Sequence, residues 1–218
     1  MKKIILAGFL SIITLFSCNK ENSSPNTNTS NTSNNNSINI DTNNYYLVAN
    51  IDGNSYGCEV KQNTVDWNIS QSNAKSGDGD NLNLALGGGI TNAVLIGDSI
   101  DIKSVLNINF NYSNLDQKSY NTSDDIFITL INKGEYLFTN NRVNVSYSIN
   151  NGTEYWLSEL GDQTGSKITV TSKKINSNNY NETTMDIQGT FNCKLYSQNN
   201  PTKYITITNG KFKLNIQK

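Results

Sequence analysis

The sequence predicts an all-β fold, an antiparallel β-sandwich of about ten short strands over residues 45–218. Three observations point there. Most apolar stretches alternate with a period of two. Asp-Gly and Asn-Gly pairs punctuate them at hairpin spacing. No window shows sustained helical periodicity. A lipocalin-like closed β-barrel also buries one face of every strand, and alternation alone leaves it open as the alternative.

The first strand is Tyr45–Ile51, and Asp52-Gly53 joins it to Ser55–Val60. Asp and Gly both tolerate positive φ, so the pair predicts a two-residue hairpin. In Thr64–Ser70, Val65, Trp67 and Ile69 share a face, which places Trp67 in the core. Ala74 to Asn81 reads as a loop. Ile100–Lys103 and Leu106–Phe110 alternate, and Asn111 to Asp125 reads as a second loop. Ile126–Leu130 is dense enough to predict a central strand. Val143–Ile149 and Glu154–Ser158 flank Asn151-Gly152 as another hairpin, and Lys167–Thr171 alternates cleanly. In Ile187–Leu195, Ile187, Phe191, Cys193 and Leu195 face one way, and Gln188, Thr190, Asn192 and Lys194 the other. In the last strand Ile205 and Ile207 have one parity and Phe212, Leu214 and Ile216 the other. The face must be reset between them, so Asn209-Gly210 hosts a turn or bulge.

The N-terminus reads as an address. Lys2 and Lys3 precede an apolar run from Ile4 to Phe16, too short for a spanning helix and of signal-peptide length. The run ends in Leu15-Phe16-Ser17-Cys18, which resembles a bacterial lipobox. Residues 1–17 are then a lipoprotein signal peptide, and Cys18 carries a thioether-linked diacylglycerol, the one covalent group expected and the anchor to a membrane. Two or three acyl chains hold a protein stably where one is marginal. Residues 18–44 form an Asn/Ser/Thr-rich tether with too little apolar area to offset its ordering entropy. A coil of this length reaches about 25–30 Å. The Asn19-Lys20-Glu21 that follows Cys18 has no Asp beside it, which points to the outer membrane, either at the cell surface or on the periplasmic face.

Composition excludes several chemistries. The chain has no His, so it builds no Ser-His-Asp triad, Cys-His dyad or His-ligated zinc or haem. Arg142 is its only arginine, and its net charge is −1, which argues against nucleic acid as a partner. Asn accounts for 39 of 218 residues, partly in the tether and partly on strand faces and turns.

Tyr46–Gly53, Lys167–Thr171, Ile187-Gln188-Gly189-Thr190-Phe191 and Ile205–Phe212 resemble the strand-and-turn pattern of a group of uncharacterised, Flavobacterium-type small β-rich lipoproteins of the Bacteroidota. The resemblance implies a lipobox, a linker and one β domain, and carries no activity or site residue with it.

Candidate chemistry is sparse, and no catalytic residue is expected. Cys58 and Cys193 both sit on inward faces, as a buried inter-sheet disulfide or as two buried thiols. Asp78 and Asp80, in Gly77-Asp78-Gly79-Asp80-Asn81, offer oxygens of the kind calcium takes, without the spacing of a helical calcium loop; a solvated turn explains them equally. Tyr155 and Trp156 point oppositely on one strand, so one of them is exposed as a candidate ligand contact for a protein or glycan partner. Glu154 and Glu159 are the nearest approach to a glycosidase acid pair. The expectation is a non-enzymatic, membrane-anchored β domain that binds a partner or ligand at the cell envelope. A barrel carrying a small apolar molecule and a carboxylate-based glycan hydrolase are the alternatives.

Overall fold

The computed structural model describes residues 41, 43–60, 69–78, 80–96, 99–150, 152–177 and 182–218; of residues 58–60, 69–72, 78, 92–96, 99–103 and 140 it describes the backbone only. Residues 1–17 and Cys18, expected as signal peptide and lipidation site, most of the expected tether and Trp67 lie outside these residues. In chain order the elements are β1 (Tyr45–Ile51), β2 (Asn54–Val60), β3 (Ile69–Asp78), β4 (Asn81–Ile96), β5 (Ser99–Asp116), α1 (Gln117–Thr122), α2 (Asp125–Leu130), β6 (Gly134–Tyr136), β7 (Val143–Ile149), β8 (Glu154–Leu157), β9 (Lys167–Ser177), β10 (Thr183–Ser197) and β11 (Tyr204–Gln217).

All eleven strands belong to one antiparallel sheet in the order β2-β1-β11-β10-β8-β7-β5-β4-β3. The sheet branches at β10. Thr183 to Asn192 pairs with β9, which carries β6 on its far side, whereas Tyr196 and Ser197 pair with β8. It then folds back on itself, so that β3 and β4 lie against β11. The Asn73 side-chain amide donates to the Gln217 carbonyl at 3.3 Å across this contact. The result is an open, sandwich-like sheet and not a closed barrel, which overturns the barrel alternative. One core fills the space between the layers. Leu47, Leu86, Leu106, Ile108, Ile187 and Phe212 are fully buried in it.

The turn chemistry is realised as expected. Asp52 (φ 47°) and Gly53 (φ 80°) both adopt the left-handed region, and Ile51 pairs with Asn54 across them. Asn209 (φ 53°) is the extra residue of a bulge in a continuous β11: Cys193 faces Ile207 and Phe191 faces Gly210. That insertion lets Ile207 and Phe212 both point into the core. Ile149 pairs with Glu154, so the Asn151-Gly152 hairpin closes over four residues. Every non-glycine residue with positive φ among the described residues is Asn or Asp. Part of the Asn excess is therefore spent where other side chains would be strained.

Three expectations fail. Ala74 to Asn81 is no loop: β3 runs on to Asp78, which pairs with Asn81 across a two-residue turn. Asn111 to Asp125 contains the end of β5 and α1, which is capped by the Asp116 carboxylate accepting from the Ser119 N–H at 2.7 Å. Ile126–Leu130 is not a strand but α2, with Phe127 and Leu130 buried on one side. A five-residue apolar run carries too little pattern to separate the two periods.

The Cys58–Cys193 bridge is not made. Cys193 is a free thiol, buried at 3% exposure. Cys58 pairs with Leu47 on β1, and Cys193 with Ile207 on β11. Two strands therefore stand between them, and three ladder spacings amount to about 14 Å. A disulfide tolerates at most about 7 Å between Cα atoms. Burial pushes the Cys193 thiol above its usual range, which makes it unreactive.

Candidate functional site

The site is built on β8, β10 and β11 where they turn toward one pole. Tyr196 on β10 pairs directly with Leu157 on β8 and with Tyr204 on β11. Paired residues in a ladder share a face, so these three form a row across the sheet. Tyr155 lies two residues from Leu157 and shares its side. The row belongs to the outer face: Leu195 and Cys193 line the core, whereas Tyr196 does not. The Tyr196 and Tyr204 rings are 5.6 Å apart. Tyr204 is 55% and Tyr155 44% exposed, and Lys194 lies 5.8 Å from the centre of the Tyr204 ring.

The segment from Ser158 to Ser166 straps this row in place. Gly161 packs flat on Tyr196: a Cβ there would come within 2.4 Å of the ring. The Tyr196 hydroxyl donates to the Asp162 carbonyl at 2.7 Å. Between the part of β10 paired with β9 and the part paired with β8, the backbone edge at Lys194 has no strand beside it. The Gln163 amide fills that gap. Its oxygen accepts from the Lys194 N–H at 3.2 Å, and its nitrogen donates to the carbonyls of Lys194 (2.7 Å) and Ser158 (2.8 Å). A side chain thus completes the ladder. Ser158, itself buried, accepts from the Val145 N–H at 2.9 Å and ties the strap to β7.

Asp162 and Lys194 pair beside the row. The Asp162 carboxylate accepts from the Thr164 hydroxyl and N–H, which hold it below the usual carboxylate range, and Lys194 at 3.6 Å adds to this. The other side of the strap faces a groove of about 650 Å³ lined by Leu137, Phe138, Asp162 and Lys167 among others, and Lys167 is ion-paired with Glu135.

The expected residues are distributed as follows. Tyr155 takes the exposed position of its pair. Trp156 turns inward, half-buried against the core beside Tyr147, its direct cross-strand neighbour. Glu154 opens β8 and Glu159 lies two residues beyond its end, with about 10 Å of strand between them. Asp80 is exposed at the β3–β4 turn, where its carbonyl accepts from the Gln117 N–H at 2.9 Å; the Asp78 side chain lies outside the described residues. Among the described residues no three Cys, Asp or Glu side chains gather as metal ligands. The sequence reading missed Tyr196, Tyr204 and Gln163. The two tyrosines were within reach, since they flank the Gln-Asn-Asn-Pro turn at Gln198–Pro201. Gln163 was not, because its role depends on a gap that only the branched topology creates.

No protein-family model, curated protein or solved structure matches the chain.

Proposed function

We propose that this chain is a lipid-anchored protein of the bacterial outer membrane whose β-sandwich binds a partner or ligand without catalysing a reaction. The observation that carries this reading is Leu15-Phe16-Ser17-Cys18 at the end of a charged and then apolar N-terminal run. The resemblance to Bacteroidota lipoproteins agrees with it. Asp41 to Asn44 turn into β1 beside Lys213, whose ammonium donates to the Asn43 carbonyl at 3.3 Å. The Asp52-Gly53 turn and the tip between β10 and β11 point the other way along the strands. The point where the tether joins the domain and the Tyr155–Tyr204 face therefore lie at opposite poles.

The test is metabolic labelling with palmitate in a bacterium that processes lipoproteins. Wild type takes up label and partitions with membranes, and Cys18→Ala abolishes label and releases the protein. A wild-type chain that takes no label overturns the reading.

A further inference from the structure

We infer that the outer face of β8, β10 and β11 around the exposed rings of Tyr155 and Tyr204, which flank the strap-covered Tyr196, is a binding platform for a neutral carbohydrate chain. The inference rests on the reading of the protein as an envelope binding protein and names the partner that its exposed face fits.

Exposed large apolar side chains among the described residues are few, and two of the five, Tyr155 and Tyr204, stand on this face. Single exposed apolar residues are ordinary, but two exposed aromatic rings side by side on one sheet face offer a continuous contact surface. The rings are held by strands and cost little entropy to present. Tyr155 and Tyr204 stand two ladder spacings apart, at least about 10 Å, with Tyr196 between them. That spread fits consecutive units of a chain better than one small molecule.

The chemistry around the rings selects the class. A sugar offers an apolar C–H face edged by hydroxyls, and needs an aromatic surface bordered by planar polar groups. The β10–β11 turn supplies exposed amides at Gln198, Asn199 and Asn200 beside Tyr204. A phosphate polymer would need a surplus of cations, whereas Lys194 and Lys203 are outnumbered here by Asp162, Glu154 and Glu159. A protein partner would favour a desolvated pocket for an anchor residue, and the Tyr196 pocket is already filled by the strap through Gly161. Position agrees: the platform lies at the pole opposite Asp41–Asn44, where an anchored domain meets extracellular or periplasmic polymer.

The test is affinity electrophoresis of the detergent-solubilised full chain through native gels that contain hydroxyethylcellulose, xylan, galactomannan, pullulan or soluble starch. At least one polymer should retard wild type. Tyr204→Ala and Tyr155→Ala should each weaken that binding about tenfold. Tyr204→Phe, which keeps the ring, and Leu137→Ala, which lies in the groove, should bind like wild type. Thermal unfolding of the same samples confirms that the exposed substitutions leave the fold intact. Retardation by none of the polymers, or retardation indifferent to both alanine variants, overturns the platform. Palmitate label on the same preparation separates the two readings: labelled protein that no polymer retards leaves the anchor standing, and unlabelled protein overturns the anchor whatever the gels show.

Discussion

β10 and α2 are both built on Ile, Phe and Leu, yet β10 runs for 15 residues between neighbours on both sides, whereas α2 closes after six. β10 interleaves its apolar residues with Gln188, Thr190, Asn192 and Lys194, so every second side chain can stay wet while the rest enter the core. α2 has one polar residue, Thr129, in its apolar run and no alternation to defend. Its ends are instead completed by its surroundings. The Ser123 hydroxyl accepts from the Asp125 N–H at 3.0 Å. The Tyr112 hydroxyl donates to the Leu130 carbonyl, and the Lys173 ammonium to the Ile128 carbonyl. Six residues are far too few for a helix to persist alone. What holds α2 is tertiary: Phe127 and Ile131 at no exposure, and cations or hydroxyls on carbonyls that a short helix cannot bond internally. The contrast teaches that an apolar run becomes a strand when its own pattern supplies two faces, and takes its form from its neighbours when it does not.

Substitutions in α2 break this comparison most severely. A strand over Ile126–Leu130 would put Ile126, Ile128 and Leu130 on one face and Phe127 on the other. The helix buries Phe127 and leaves Ile128 half-exposed. Phe127→Ala should therefore cost about 3–5 kcal/mol, the range for emptying a buried aromatic site. Ile128→Ala should cost about 1 kcal/mol, as for a partly exposed position. Urea unfolding of the two variants checks the order, and a larger loss for Ile128→Ala would restore the strand.

The same contrast explains how much could be read in advance. The β1–β2 hairpin, the β7–β8 hairpin and the bulge at Asn209 were all legible, because each rests on residues adjacent in sequence whose φ preferences or parity are local properties. That one of Tyr155 and Trp156 faces outward was legible for the same reason, but not which of the two. α2, the continuation of β3 to Asp78 and the separation of Cys58 from Cys193 were not, since each depends on which strand lies beside which. The sequence parity of Cys58 and Cys193 says nothing about the two strands that stand between them.

Gln163 offers a sharper test, with a smaller effect. Most of β10 is zipped by backbone on both edges, but at Lys194 one edge is satisfied by a side chain. Gln163→Ala removes the partner of the Lys194 N–H and of two carbonyls, all partly buried. Stranding such groups costs about 1–3 kcal/mol. Hydrogen exchange should show the loss locally: the Lys194 amide becomes fast, while protection persists in the ladder where Gly189 faces Val170. Equal protection at Lys194 in variant and wild type would mean that backbone, not Gln163, closes this edge. The strap carries Gly161 onto Tyr196, so loosening it should also raise the mobility of the aromatic row.

The smallest effect sits at the junction of the two regions, where Asp124 at the head of α2 meets the ends of β10 and β11. Its carboxylate accepts from the Lys218 ammonium at 2.7 Å and from the Thr183 hydroxyl. The Lys218 bond first, then the Thr183 bond, holds its pKa below the ordinary carboxylate value. A depressed folded-state pKa stabilises the fold above the unfolded pKa, about 3.9 for Asp, and that contribution is lost as pH falls through the folded value. The melting temperature should therefore drop below about pH 4, and Asp124→Asn should flatten that drop. At neutral pH the variant should lose less than about 1 kcal/mol, because the carboxylate is 47% exposed and screened by water and salt. Melting curves from pH 2 to pH 7 in low and high salt test this; an unchanged acid limb in Asp124→Asn would show that α2 is held to the strand ends by its apolar face alone.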